Sequence, residues 1–239
     1  MKAVFTCGGT GGHINPALAV ARVLLERRPD SEILFVGAED GMEATLVPRE
    51  GFRLETLQIS SYMRSLKPSA IRHNVRAALS IRRALKKADR IIRDFQPDVI
   101  LGTGGYASYP MLHEGARLGI PTAVHESNAV PGLATKMVAD KVDRILVSFA
   151  DSRSAYRDPS RVIAVGMPVR EEFVFTRRAD ARRALGLDEK TPMIVSAWGS
   201  LGAREMNKKI AQFMKLECEQ DCWRHIHATG SFGWRWMPD

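Results

Sequence analysis

Seven short apolar runs recur along the chain, at 3 to 6, 32 to 36, 98 to 101, 122 to 125, 144 to 147, 162 to 165 and 193 to 197. Most are separated by 10 to 25 residues with apolar positions at helical spacing and few glycines, as in 17 to 25 and 107 to 118. A strand that is apolar at successive positions must be covered on both faces, and helices between such strands supply the cover. The pattern predicts an α/β fold with a parallel sheet and right-handed crossovers.

The series breaks at Gly166-Met167-Pro168. A charged helix is predicted from about Arg177 to Leu185, ended by Gly186, and a new series of runs starts at Pro192. The expected domains are 1–168 and 169–239. The second has room for two strands and one or two helices, too few to close a sheet, so the chain is expected to stop inside an incomplete domain.

In an open parallel sheet, ligands bind where strands end and helices begin. Gly8-Gly9-Thr10-Gly11-Gly12 falls at such a place, after the first run and before a helix predicted to begin near Asn15-Pro16, with Pro16 in its first turn. Gly102-Thr103-Gly104-Gly105-Tyr106 and Gly199-Ser200-Leu201-Gly202 repeat the arrangement. Glycine lets bare amides approach an anion, and the helix N-terminus adds a favourable dipole. Tight turns also select glycine; three loops at equivalent positions favour an anion seat over three unrelated turns. The chain has no G-K-[ST], which excludes a P-loop, and the first loop lacks G-x-G-x-x-G spacing, which makes a redox dehydrogenase the lesser reading. His13, Glu126 and Asn128 are expected at the same edge of the sheet, as is Arg170. A lone histidine is commonly structural, but convergence on one cleft favours chemistry.

Lys and Arg number 35 against 27 Asp and Glu, a net charge of +8, so an anionic partner is expected. Nine of the basic residues lie between Ser61 and Arg90, with Asp89 the one acid there. Ile71, Val75, Leu79 and Leu85 fall near one helical face, with Arg72, Arg76, Arg82, Arg83, Lys86 and Lys87 around them. Such a helix reads as a contact with an anionic membrane surface. The competing reading is that its apolar stripe packs on the sheet while the charges are solvated. Nucleic acid is not expected, because zinc-finger, RNA-recognition and basic-zipper patterns are missing and aromatics are 7% of the chain. No stretch approaches the ~20 apolar residues of a membrane span, and the N-terminus does not read as a secretory leader. The cysteines, Cys7, Cys218 and Cys222, are odd in number and fit no common zinc spacing even with His225 and His227 nearby, so reduced thiols and no metal are expected.

Taken in order, G-G-T-G-G-H at 8 to 13, G-T-G-G-Y-x-S at 102 to 108, H-E-x-N at 125 to 128, G-x-P-V-R at 166 to 170 and G-S-L-G-A at 199 to 203 resemble the MurG family. These are the UDP-N-acetylglucosamine:undecaprenyl-pyrophosphoryl-muramyl-pentapeptide N-acetylglucosaminyltransferases of peptidoglycan synthesis. The resemblance implies a GT-B architecture, two Rossmann-like domains. It also implies transfer of GlcNAc from UDP-GlcNAc to the C4 hydroxyl of the muramyl sugar of lipid I, giving lipid II, with inversion and with no metal or cofactor. The location implied is the cytoplasmic face of the bacterial cell membrane, as a peripheral protein. Thr10, Gly11, Gly12, Asn128, Arg170 and Ser200 match UDP-GlcNAc contacts; His13 and Glu126 match catalytic candidates, with His13 favoured as base. Gly104, Gly105 and Tyr106 match the second glycine loop near the acceptor. Trp198 departs from the pattern, standing where the family has a further glycine. The family continues past residue 239, with an acidic residue and a glutamine for the nucleotide, so a polypeptide of these residues is expected not to transfer GlcNAc. The alternative is a non-catalytic module that binds a lipid-linked pyrophosphate.

Overall fold

The computed structural model describes residues 1–59, 68–199, 202–220, 223–230, 233 and 236–237, with the backbone alone for 68–79 and 220. The chain divides into two compact units, Met1–Arg170 and Glu171–Asp239.

The first unit is built on parallel strands β1 (Lys2–Thr6), β2 (Glu32–Ala38), β3 (Arg53–Leu57), β4 (Val99–Gly102), β5 (Thr122–Glu126), β6 (Arg144–Val147) and β7 (Val162–Ala164). Their order is β3-β2-β1-β4-β5-β6-β7. The connecting helices are α1 (Gly11–Arg27), α2 (Glu43–Arg49), α3 (Pro68–Phe95), α4 (Ser108–Arg117) and α5 (Leu133–Val138). Alternate residues of each strand bury on opposite faces, as the pleat requires. Val4, Leu34, Val36 and Ile100 pack with Ala84, Ala88, Ile91 and Ile92 of α3 and with Met111 and Leu112 of α4. Ala3, Phe5 and Phe35 pack with Ile14 and Leu18 of α1 and Val47 of α2. Helices therefore cover both faces, which is why the central strands are apolar throughout.

The second unit holds α6 (Glu171–Phe175), α7 (Arg178–Ala184), β8 (Met193–Ala197), α8 (Arg204–Gln220) and β9 (Arg224–Ala228), with β8 and β9 paired in parallel.

Two expectations need correction. Strand β3, Arg-Leu-Glu-Thr-Leu, is not among the apolar runs; it is one of the two edge strands, and Arg53 and Glu55 pair 3.3 Å apart in solvent. Helix α1 begins at Gly11, not near Asn15, with Thr10 as its extended N-cap. Pro16 accordingly lies in the second turn, and its missing N–H leaves the carbonyl of exposed Gly12 without a helical donor. Where the side chains of α3 are described, Ala84, Ala88, Ile91 and Ile92 pack on the sheet, Leu85 is half-buried, and Arg82, Arg83, Lys86 and Lys87 are exposed, an arrangement compatible with both readings of this helix. The side chains of Ile71, Arg72, Val75, Arg76 and Leu79 lie outside the described residues.

Candidate functional site

The strand order reverses between β1 and β4, so the loops after these two strands open away from a common crevice, the place where such sheets bind ligands. They are the first two glycine loops. Thr103 ties them together: its N–H donates to the Thr6 carbonyl (3.0 Å) and its hydroxyl to the His13 carbonyl (2.6 Å). Gly105 has a φ of +79°, and a Cβ there would sit 2.0 Å from the Gly8 carbonyl oxygen. Only glycine allows the two loops to approach so closely.

A pocket of about 280 Å³ opens beside them. Its polar wall is His13, Gly104, Gly105, Tyr106, Glu126 and Asn128; its apolar wall includes Ile59, Ile81, Tyr109, Leu133 and Met137. His13 Nδ1 lies 3.0 Å from the Gly8 carbonyl oxygen. A carbonyl can only accept, so Nδ1 carries the proton, and in the neutral ring Nε2 is left with its lone pair. A Cβ on Gly104 would fall 2.8 Å from His13 Cδ2, so the second loop packs its backbone directly onto the ring.

Glu126 is buried at the end of β5. Oε1 accepts from the Asn128 backbone N–H (2.9 Å) and side-chain amide (2.7 Å), and Oε2 from the Gly132 N–H (2.9 Å). Burial pushes its carboxyl up, but the hydrogen bonds from Thr135, Asn128 and Gly132 outweigh burial and hold it below its ordinary value. A carboxylate so fully engaged anchors the loop from Asn128 to Gly132 and has little basicity to offer. Of the two catalytic candidates, His13 has the free lone pair. The phenol of Tyr106 is pushed up by burial and by the charges of Glu43 and Asp40, so it enters the pocket as a hydrogen-bond donor.

The first loop is only in part the open anion seat expected. Gly8 is buried, with a would-be Cβ 2.6 Å from Glu43 Oε1, and the Gly9 N–H donates to Glu43 Oε2 (3.1 Å). Gly11 and Gly12, as the first residues of α1, keep amides that point out of the helix. They and Thr10 lie next to His13 but do not line the pocket. Arg170, expected in the cleft, instead lies 3.4 Å from Glu50, a carboxylate that also binds Arg22 and is held below its ordinary value, chiefly by the Arg22 hydrogen bond and then, against a smaller upward push from burial, by the Arg170 charge. In the third loop, Gly199 has a φ of +73° and Trp198 is partly exposed; Ser200 lies outside the described residues.

Among the described residues no group of three or more His, Cys, Asp or Glu comes together as a metal site. Cys7 is buried and Cys218 exposed, both free; Cys222 lies outside the described residues. His225 and His227 join a network between the β8–β9 sheet and α8: His225 Nδ1 is 2.6 Å from Glu217, and Ser196 Oγ lies 2.8 Å from His225 Nε2 and 2.7 Å from His227 Nδ1. Sequence reasoning missed Glu43 and the apolar wall of the pocket. Gly37 and Gly41, whose Cβ positions fall 2.4 and 2.3 Å from the Glu43 side chain, were the available signal for the first.

The glycosyltransferase family 28 N-terminal domain matches residues 3–147. The chain is 39% identical over 230 residues to the UDP-N-acetylglucosamine–N-acetylmuramyl-(pentapeptide) pyrophosphoryl-undecaprenol N-acetylglucosamine transferase of Acetivibrio thermocellus, covering 96% of this chain and 61% of that one. It is 40% identical over 215 residues to the enzyme of that name from a Thermoanaerobacter species, covering 90% and 58%. The chain thus spans about three-fifths of the length of these relatives. Among solved structures, Acinetobacter baumannii MurG overlays with a TM-score of 0.62 at 24% identity, covering 90% of this chain and 57% of that one. The UDP-GlcNAc 2-epimerase of Neisseria meningitidis, bound to UDP-GlcNAc, overlays at 0.59 and 14%, covering 95% and 65%. At these identities the overlays speak for the fold, which is of the GT-B type expected.

Proposed function

Because this chain belongs to glycosyltransferase family 28, whose N-terminal domain it carries at residues 3–147, we propose that it is the larger part of an inverting N-acetylglucosaminyltransferase. The reaction is transfer of GlcNAc from UDP-GlcNAc to the C4 hydroxyl of the muramyl sugar of lipid I, giving lipid II. One observation carries this reading: a pocket at the strand-order reversal sets His13, its proton held on Nδ1, and two glycine loops against an apolar wall. That pairing suits an amphiphile with a sugar-pyrophosphate head. In the proposal His13 takes the proton of the attacking hydroxyl, and Gly104, Gly105 and Tyr106 face the acceptor. Thr10, Gly11, Gly12, Asn128, Arg170 and Ser200 serve the donor. To meet a departing diphosphate, Arg170 must exchange Glu50 for phosphate.

A second reading, a module that binds the lipid-linked pyrophosphate without turnover, is favoured by the pocket's lying wholly within residues 1–170. Calorimetry with UDP-GlcNAc and with a soluble lipid I analogue separates the two. Binding of both supports the transferase, acceptor binding alone supports the module, and binding of neither ends both readings. A polypeptide of these 239 residues is expected to form no lipid II, because among the described residues its second unit has two strands against seven in the first.

The proposed location is the cytoplasmic face of the cell membrane, with the basic face of α3 against anionic lipid. Among the described residues no helix is long and apolar enough to cross a membrane. Each Lys or Arg near an anionic leaflet contributes about 1 kcal/mol, so charge reversal at Arg82, Arg83, Lys86 and Lys87 should weaken co-sedimentation with anionic vesicles by on the order of 100-fold or more. Equal sedimentation with neutral and anionic vesicles would dismiss the membrane contact.

A further inference from the structure

Glu43 stands at the first position of α2 with no exposed surface, and the proposed reaction gives it no task. Gly8, in the loop after β1, and Gly37 and Gly41, in the stretch that leads from β2 to α2, each leave room for its side chain. Its Oε1 accepts from the Ala38 N–H (2.7 Å) and its Oε2 from the Gly9 N–H (3.1 Å). That second bond falls on a particular peptide unit. The amide between Gly8 and Gly9 offers its N–H to Glu43 and its C=O to His13 Nδ1, at 3.0 Å.

We propose that Glu43 is a positioning residue that acts on His13 through the Gly8–Gly9 peptide unit. This deepens the assignment of His13 as base and rests on it. A carboxylate that accepts from an amide N–H polarises the amide, and the carbonyl at its other end becomes a stronger acceptor. Here that carbonyl holds the proton of His13 on Nδ1 and leaves the ring's lone pair on Nε2. When Nε2 takes a proton from the acceptor hydroxyl, Nδ1 keeps its own. The imidazolium then rests on the polarised carbonyl, and Glu43 gains no proton. It does through a peptide what a carboxylate in direct contact does for the histidine of a hydrolytic triad.

The surroundings fit this role. Cys7 lies beneath the loop, its thiol pushed up by burial and by Glu43; Tyr106, beside Gly9, is pushed up by burial, Glu43 and Asp40. Both keep their protons at neutral pH, so neither adds a negative charge beside the relay. Thr10 Oγ1, 3.4 Å from His13 Nδ1, is a further polar neighbour of the ring and is uncharged, while the carboxylate of Glu126 lines the same pocket and is bound to Asn128 and Gly132. Gly105 packs close to the same peptide unit, where an added Cβ would lie 2.0 Å from the Gly8 oxygen.

Nitrogen-15 spectra of the histidine-labelled 239-residue chain test the proposal, with the His13 signals identified by their loss in His13→Asn. The parent chain should show neutral His13 as the Nδ1–H tautomer. Glu43→Gln should lower the His13 titration midpoint so that proton affinity falls by ~3-fold, and should raise the share of the Nε2–H tautomer. Glu43→Asp, which keeps the charge, should recover part of the shift. Glu114→Gln, which removes a buried carboxyl paired with Arg117 elsewhere, should change neither. An Nε2–H tautomer in the parent overturns the proposal whether or not the variants fold, and so does a midpoint that Glu43→Gln leaves in place. No substrate is present in these measurements, so a negative result leaves the transferase reading to be judged by calorimetry.

Discussion

Gly105→Ala lowers the thermal midpoint of the chain by roughly 6–12 °C, and binding of an acceptor analogue goes with it. The added methyl meets backbone: its position is 2.0 Å from the Gly8 oxygen, 2.8 Å from the Gly8 carbonyl carbon and 3.1 Å from its nitrogen. Backbone cannot swing aside as a flexible side chain would, so one loop must move, and the Gly8 carbonyl that orients His13 moves with it. Added to the strain of alanine at positive φ, the clash costs about 3 kcal/mol. For a chain of this size each kcal/mol lowers the midpoint by about 2–4 °C. Gly119→Ala isolates the backbone contribution, because Gly119 has a similar φ of +74° and nothing within 4 Å of a Cβ. It should cost only about 1 kcal/mol. Equal midpoints for the two variants would mean that the loops are not in the contact described.

The parts of the molecule most legible in the sequence are those whose burial is two-sided. The central strands had to be apolar at successive positions because helices cover both faces, and this pattern exposed the sheet, the helices between its strands and the ends of β1 and β4. Strand β3 was invisible because an edge strand meets water and can carry Arg53 and Glu55, whereas β7, at the other edge, kept an apolar run although Ile163 and Ala164 are exposed. The glycine loops were correctly placed, yet their composition was ambiguous between two physical causes. Gly11 and Gly12 leave amides exposed at a helix start, whereas Gly8 is small to admit Glu43 and Gly105 to admit the Gly8 carbonyl. A sequence records that a side chain is missing but not what occupies the space. Arg170 illustrates a further limit. Its approach to Glu50 links residues 120 positions apart, and no local pattern could signal it.

Glu126→Gln is expected to destabilise the first unit by about 2–4 kcal/mol at neutral pH, since a buried group that loses its partners leaves donors unsatisfied. Both carboxyl oxygens are surrounded by N–H and O–H donors from Asn128, Gly132 and Thr135. A glutamine has one accepting oxygen, so whichever way it turns, its NH₂ group faces donors. The loop from Asn128 to Gly132 should then open, taking Asn128 and Gly132 from the pocket wall. The pH dependence separates this mechanism from ordinary mispacking. The carboxyl of Glu126 is held below its ordinary value of 4.5 in the folded chain, so its contribution is fully present above that value and disappears as pH falls through the lower folded value. Parent and variant should differ by the same amount from neutral pH down to about 5 and converge in more acidic solution, as chemical denaturation at several pH values would reveal. A gap that persists undiminished where the parent carboxyl is protonated would show that the hydrogen bonds to Glu126 are not what holds the loop.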